Sequence, residues 1–147
     1  MFKTEAPLGT AQIASANFLN LLIVDDERSI REVCREVGQV LGFNTFVAES
    51  AENAYREMDI RPIDIVLLDL LMPRLDGFSV LEYLQQDPRY RDMPVIVLTA
   101  KMLTVEEKTL LQQRVFTVIQ KQGLEPDALI QEVRSALQAY RHLAPNE

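Results

Sequence analysis

Five short apolar runs punctuate the chain, and stretches with helical periodicity separate them. The runs are Phe18–Val24 (FLNLLIV), Thr45–Ala48, Ile63–Leu68 (IDIVLL), Pro94–Leu98 (PVIVL) and Val115–Ile119 (VFTVI). The third and fourth alternate little between apolar and polar residues, as expected of parallel strands covered on both faces. From Ser29 onward, Ile30, Val33, Cys34, Val37 and Leu41 recur at helical spacing, and Gly42 supplies a stop. Ser50 suits the N-cap of a helix that carries Ala51, Ala54, Tyr55 and Met58 on one face. Phe78, Leu81 and Leu84 mark a third helix, which ends by Asp87-Pro88 because proline disfavours helical geometry in the residue before it. Thr104 and Glu107 form a capping box for a fourth helix running to about Gln113. Pro126 opens the fifth, with an apolar stripe of Leu129, Ile130, Val133, Leu137 and Tyr140. Strand alternating with helix in this way predicts an α/β fold, a parallel sheet with right-handed crossovers and helices on both faces.

Length and charge narrow the picture. A chain of 147 residues suits one compact domain. Residues 1–17 read as a flexible N-terminal arm, 18–143 as the domain and 144–147 as a C-terminal tail. The net charge of −7 disfavours the phosphate backbone of nucleic acids, and no Lys/Arg cluster overrides it, so no nucleic-acid partner is expected. No apolar run approaches the roughly 18 residues needed to span a bilayer, so no membrane insertion is expected either. The single cysteine, Cys34, reads as a small core residue; with no secretory layout at the N-terminus, the expected location is the cytoplasm. His142, the only histidine, is expected to interact with the C-terminus of the last helix.

The candidate chemistry lies at the ends of the runs. Asp69 closes the third, and Met72-Pro73 and Asp76-Gly77 follow it with loop and turn chemistry. An acid at the carboxyl end of a central parallel strand lies where open α/β sheets bind ligands, so Asp69 is expected to face solvent in a cleft. Asp25, Asp26 and Glu27 follow the first run, Thr99 the fourth and Lys121 the fifth. In a parallel sheet these ends share one edge. Two carboxylates about 4 Å apart repel by roughly 4 kcal/mol at an effective dielectric of 20, so the acids must protonate or recruit a cation. Asp26, Asp69 and Asp25 suit Mg²⁺ better than a Ca²⁺ cage. A carboxylate beside such a metal can attack phosphorus, while the Lys121 ammonium and the Thr99 hydroxyl stabilise the transferring oxygens.

From Leu19 to His142 the chain resembles the receiver domains of bacterial two-component response regulators. The resemblance rests on LLIVDDE, DLLMPRLDG, PVIVLTA and the lysine after the fifth run, with Thr99 standing 30 residues after Asp69 and Lys121 a further 22. It implies a flavodoxin-like, doubly wound five-stranded sheet of order 2-1-3-4-5 with five helices. It also implies that Asp69 accepts a phosphoryl group from a sensor histidine kinase or phosphotransfer protein. Asp26, Asp69 and the carbonyl of Leu71 would bind Mg²⁺, with Asp25 helping through water, and Thr99 would move toward the phosphoryl group. Leu71 and Lys101 occupy positions that tune dephosphorylation in the family.

Three residues depart from the family pattern. Gln122 replaces the usual proline after the lysine, which predicts a trans bond there and a differently shaped loop. Val118 stands where the family commonly has its switch aromatic, with Phe116 two residues back and expected on the same face. Gln113-Arg114 replaces a Gly-Ala pair.

With few residues after His142, the expected protein is a stand-alone receiver that signals through an unidentified protein target, a homodimer being left open. It would not be an enzyme beyond its own phosphorylation and dephosphorylation. The rival readings are a phosphorylation-independent adaptor of the same fold and a small phosphatase. The phosphatase is disfavoured because Leu71, two residues after Asp69, offers no acid to protonate a leaving group.

Overall fold

A computed structural model of the protein describes residues 19–72 and 77–143, the last three of these by backbone alone. The N-terminal arm, Phe18, the turn residue Asp76, the side chain of His142 and the tail 144–147 lie outside the described residues. Strands β1 (Asn20–Val24), β2 (Asn44–Ala48), β3 (Ile65–Asp69), β4 (Val95–Thr99) and β5 (Thr117–Gln120) alternate with helices α1 (Arg28–Leu41), α2 (Ala51–Ile60), α3 (Gly77–Gln86), α4 (Val105–Gln112) and α5 (Pro126–Leu143). All pairings are parallel and the order is β2-β1-β3-β4-β5, the expected doubly wound, flavodoxin-like sheet.

The helices form two layers because the strands offer apolar side chains to both faces. Leu22, Val24, Val66 and Leu68 pack with Ala54 and Met58 of α2, Leu81 and Leu84 of α3 and Leu111 of α4. Leu21, Ile23, Ile65 and Leu67 pack on the opposite face with Cys34 and Val37 of α1 and Leu129, Val133 and Ala136 of α5. Cys34 is fully buried, as its apolar stripe predicts, and burial pushes its thiol up to about 12. Gly42 ends α1 at φ 83°, a left-handed conformation that glycine adopts without a Cβ clash, and its N–H reaches the Gln39 and Gly38 carbonyls. Ser50 caps α2 through the Asn53 N–H, and the Thr104–Glu107 box caps α4 from both sides.

Three expectations about local structure meet different outcomes. The fifth strand begins at Thr117 rather than Val115, because the Arg114 and Val115 N–H groups still bond to the Leu111 carbonyl and finish the turn of α4. Phe116 therefore precedes the strand, and the period-two argument does not extend to it. It packs with Ile119 against the α1/α5 core, whereas Val118 packs against the α2/α3/α4 core, so the two do not share a face. The Lys121–Gln122 bond is trans, as Gln122 predicts, and the chain turns through Gly123 at φ 72° with the Leu124 N–H on the Lys121 carbonyl at 3.0 Å.

Candidate functional site

Sheet register alone brings the two central acids level. Val24 pairs with Leu68, so the next residues along, Asp25 and Asp69, sit side by side at the carboxyl edge. This is the point at which the chain winds from β1 outward in both directions, the usual ligand crevice of such sheets. On the other side Asp69 pairs with Leu98 and Thr99 with Gln120, so Thr99 and then Lys121 each stand one step further on.

Each acid is fixed by the backbone beyond it. The Asp25 N–H extends the β1–β2 ladder to the Ala48 carbonyl at 3.0 Å, and Asp25 Oδ1 accepts the Glu27 N–H at 2.8 Å. Asp69 Oδ1 accepts the Leu71 N–H at 3.0 Å. The Arg31 guanidinium donates to the Asp25 carbonyl at 2.9 Å, which ties the first turns of α1 to the site. Behind Asp69, α3 begins with Gly77, where a Cβ would stand 2.5 Å from the Asp69 carbonyl oxygen and 2.8 Å from Leu70 Cα. Only glycine lets the helix start this close to the acid.

Lys121 reaches across the edge from the end of β5. Its Nζ lies 2.9 Å from Asp25 Oδ2, 3.1 Å from Asp25 Oδ1, 3.0 Å from Glu27 Oε1 and 3.3 Å from Asp69 Oδ2. The expectation that Asp69 faces solvent does not hold, since it is only 2% exposed. The acid is the last residue of the strand rather than the first of the loop, and the Lys121 ammonium lies over it. Burial, opposed by the Leu71 N–H and reinforced by the charge of Asp25, pushes the Asp69 carboxyl up to about 6. Burial also raises Asp25, with Lys121 and the Glu27 N–H opposing it. For Lys121, burial works against the charge, but Asp25, Glu27 and Asp69 outweigh it and hold the ammonium above its usual range.

The arrangement fits a hard divalent cation. Asp25, Asp26 and Asp69 each offer an oxygen, all within 4.8 Å of one another, and Asp26 is exposed to the water such an ion keeps. Asp25 Oδ2 is buried yet accepts no hydrogen bond, the nearby ammonium being badly directed for one, which leaves a lone pair free for a metal.

The remaining predicted residues are less tightly gathered. Thr99 is fully buried, and its hydroxyl accepts the Lys101 N–H at 2.9 Å. Leu71 is 49% exposed and meets the cluster through its N–H. Two members escaped the sequence reading. Glu27 was visible as the third acid after β1, but nothing in its spacing tied it to Lys121. Gly77 read as turn chemistry, and only the packing of α3 on β3 shows its part.

The family model of the response regulator receiver domain matches residues 21–134. Among curated proteins, the chain is 39% identical over 87 residues to the response regulator MprA of a Mycobacterium species, covering 56% of this chain and 35% of that one. It is 38% identical over 81 residues to the transcriptional regulatory protein CpxR of Escherichia coli, covering 55% and 33%. The aligned part is thus about a third of the length of these relatives. Among solved structures, a CheY-like receiver domain protein from Methanospirillum hungatei superposes with TM-score 0.77 at 19% identity, covering 86% of this chain and 99% of that one. The N-terminal domain of a response regulator receiver protein from Methanoculleus marisnigri superposes with TM-score 0.64 at 30% identity, covering 87% and 98%.

Proposed function

Since the chain belongs to the family of response regulator receiver domains, we propose that it accepts a phosphoryl group on Asp69 from a phosphohistidine of a sensor kinase or phosphotransfer protein and signals through a protein partner. The observation that carries this reading is the Lys121 ammonium 3.3 Å from Asp69 Oδ2, with Asp25 and Asp26 alongside. An Asp69 oxygen forms the new bond to phosphorus as the bond to the histidine nitrogen breaks, the electron pair staying on that nitrogen while the other ring nitrogen carries a proton, which leaves an acyl phosphate and a neutral imidazole. Asp25, Asp26 and Asp69, with the Leu71 carbonyl, would hold Mg²⁺, whose charge offsets that of the phosphoryl oxygens. Lys121 supplies the second positive charge, and its several carboxylate contacts keep it at the pocket. Thr99 takes part by turning its hydroxyl from the Lys101 N–H to a phosphoryl oxygen.

The adaptor reading gains if Lys121 stands away from Asp69, and the ion pair argues against that. The net charge of −7 favours a protein surface over a nucleic acid as what these residues contact, and the MprA and CpxR relatives extend well beyond the matched region. Among the described residues no helix is long and apolar enough to cross a membrane, which is compatible with the cytoplasmic setting proposed.

Intact-mass measurement after incubation with acetyl phosphate and Mg²⁺ tests the proposal. Wild type gains one phosphoryl group, while Asp69→Ala and wild type treated with a chelator gain none. Absence of a gain in wild type, with Mg²⁺ binding intact, would leave the adaptor as the better account.

A further inference from the structure

The Glu27 carboxylate is at the N-cap of α1 but makes no capping hydrogen bond. Asp, Asn, Ser or Thr there bonds to the first free N–H groups of its own helix, and glutamate is not among these preferred caps. Instead Glu27 Oε1 lies 3.0 Å from the Nζ of Lys121, 94 residues away in the chain. The two strands concerned are not neighbours, since β3 and β4 lie between β1 and β5. Lys121 therefore spans the carboxyl edge, and Glu27 is its outermost anchor. Glu27 is 58% exposed, whereas Asp25 and Asp69 are almost fully buried.

The ammonium now rests on both oxygens of Asp25, a carboxylate that the proposed metal also needs. The Oδ2 lone pair is free for the metal, but two positive charges on one carboxylate repel, so metal entry there drives Lys121 off Asp25. What then keeps it over Asp69 is Glu27, whose solvent-facing carboxylate holds the ammonium without a large desolvation penalty.

We propose that Glu27 is a positioning residue for Lys121, receiving the ammonium when a divalent cation takes Asp25 and so lowering the cost of metal entry while keeping Lys121 beside Asp69. This rests on the metal-site reading above. Without Glu27, the ammonium stays on Asp25 and competes harder with the metal.

The test is a Mg²⁺ titration of the full chain followed by amide NMR shifts, in wild type, Glu27→Gln and Glu27→Asp, each also combined with Lys121→Met. Glu27→Gln should weaken Mg²⁺ by about two- to fivefold, the range of an exposed carboxylate–ammonium pair. Glu27→Asp keeps the charge but loses one carbon of reach, and it should weaken Mg²⁺ comparably. In the Lys121→Met background neither change should alter affinity by more than about 1.5-fold, because the residue each acts through is gone. Equal effects in both backgrounds, or wild-type affinity in Glu27→Asp, would make Glu27 a mere distant charge and overturn the proposal. Unchanged affinity in Glu27→Gln would do the same. If wild type shows no saturable Mg²⁺ shift at all, the metal-site reading itself fails, and this inference with it.

Discussion

At the β1/β3 end of the carboxyl edge, Asp25 and Asp69 are 1% and 2% exposed, each holds a backbone N–H two residues on, and both face one ammonium. At the β4/β5 end, β5 is only half-buried, and Met102 and Val105 on the way into α4 stand 91% and 76% exposed. The first region is placed by strand register between two cores, so its geometry cannot change without cost to the whole domain. The second is held mainly by local hydrogen bonds, from the Thr104–Glu107 box and the 2.7 Å Lys101–Glu107 pair. A displacement starting at Asp69 would thus meet little resistance toward α4 and much toward β1.

The contrast predicts a gradient of mutational cost. Leu68→Ala, beside Asp69 in the fully buried β3, should destabilise by about 2–5 kcal/mol in urea unfolding. Val118→Ala on half-buried β5 removes less apolar contact and should cost about 1 kcal/mol. Equal costs would erase the distinction between the two ends.

Gly77→Ala probes the same rigidity from behind the acid. The added methyl group would press on the Asp69 carbonyl oxygen and the Leu70 backbone, neither of which can swing aside like a side chain. A loss of as much as ~3 kcal/mol is expected, with slower phosphorylation by acetyl phosphate as β3 and α3 separate. Wild-type stability in this variant would mean that the first turn of α3 is as pliant as the approach to α4.

The charges allow a third comparison, made in metal-free protein. The folded carboxyl of Asp69 sits at about 6, above its value of 3.8 outside the fold. Between those values the unfolded chain has released its proton while the folded chain keeps it, so this group's contribution to stability falls as pH rises through the window and levels off above it. Asp69→Asn has no such titration. Its stability advantage over wild type should therefore grow from about pH 4 to about pH 6 by roughly 1–3 kcal/mol, one pKa unit being about 1.4 kcal/mol. A flat difference across that range would mean that Lys121 neutralises the acid fully.

The same division decides what could be read from the chain. Runs such as IVLLD and VIVLT, with helical stripes between them, specify the layers because burial on both faces imposes an apolar pattern. Asp25, Asp69 and Lys121 were legible because register places strand-end residues on one edge. The burial of Asp69 was not, since a carboxylate at a strand end looks alike whether or not a lysine from β5 folds over it. Phe116 was misplaced for a related reason: alternation holds only inside a strand, and where β5 begins depends on how α4 ends at Leu111. Glu27 acts through a contact with a residue 94 positions away and Gly77 through the packing of α3 back on β3, and no local pattern encodes either.

The smallest expected effect tests the pliant side directly. The Thr104 hydroxyl accepts the Glu107 N–H at 3.1 Å while Glu107 Oε1 accepts the Thr104 N–H at 3.0 Å, and the other Glu107 oxygen takes Lys101 Nζ. Lys101 in turn donates its N–H to the Thr99 hydroxyl, so the cap of α4 connects to the strand end beside Asp69. Thr104→Ala removes one half of the box and should cost about 1 kcal/mol. If α4 is secured locally, that loss appears as faster hydrogen exchange confined to Val105–Gln112, with Mg²⁺ affinity at the acid cluster unchanged. Faster exchange spreading into β1 and β3 would instead mean that the two ends of the edge form one cooperative unit, and the gradient proposed between them would be gone.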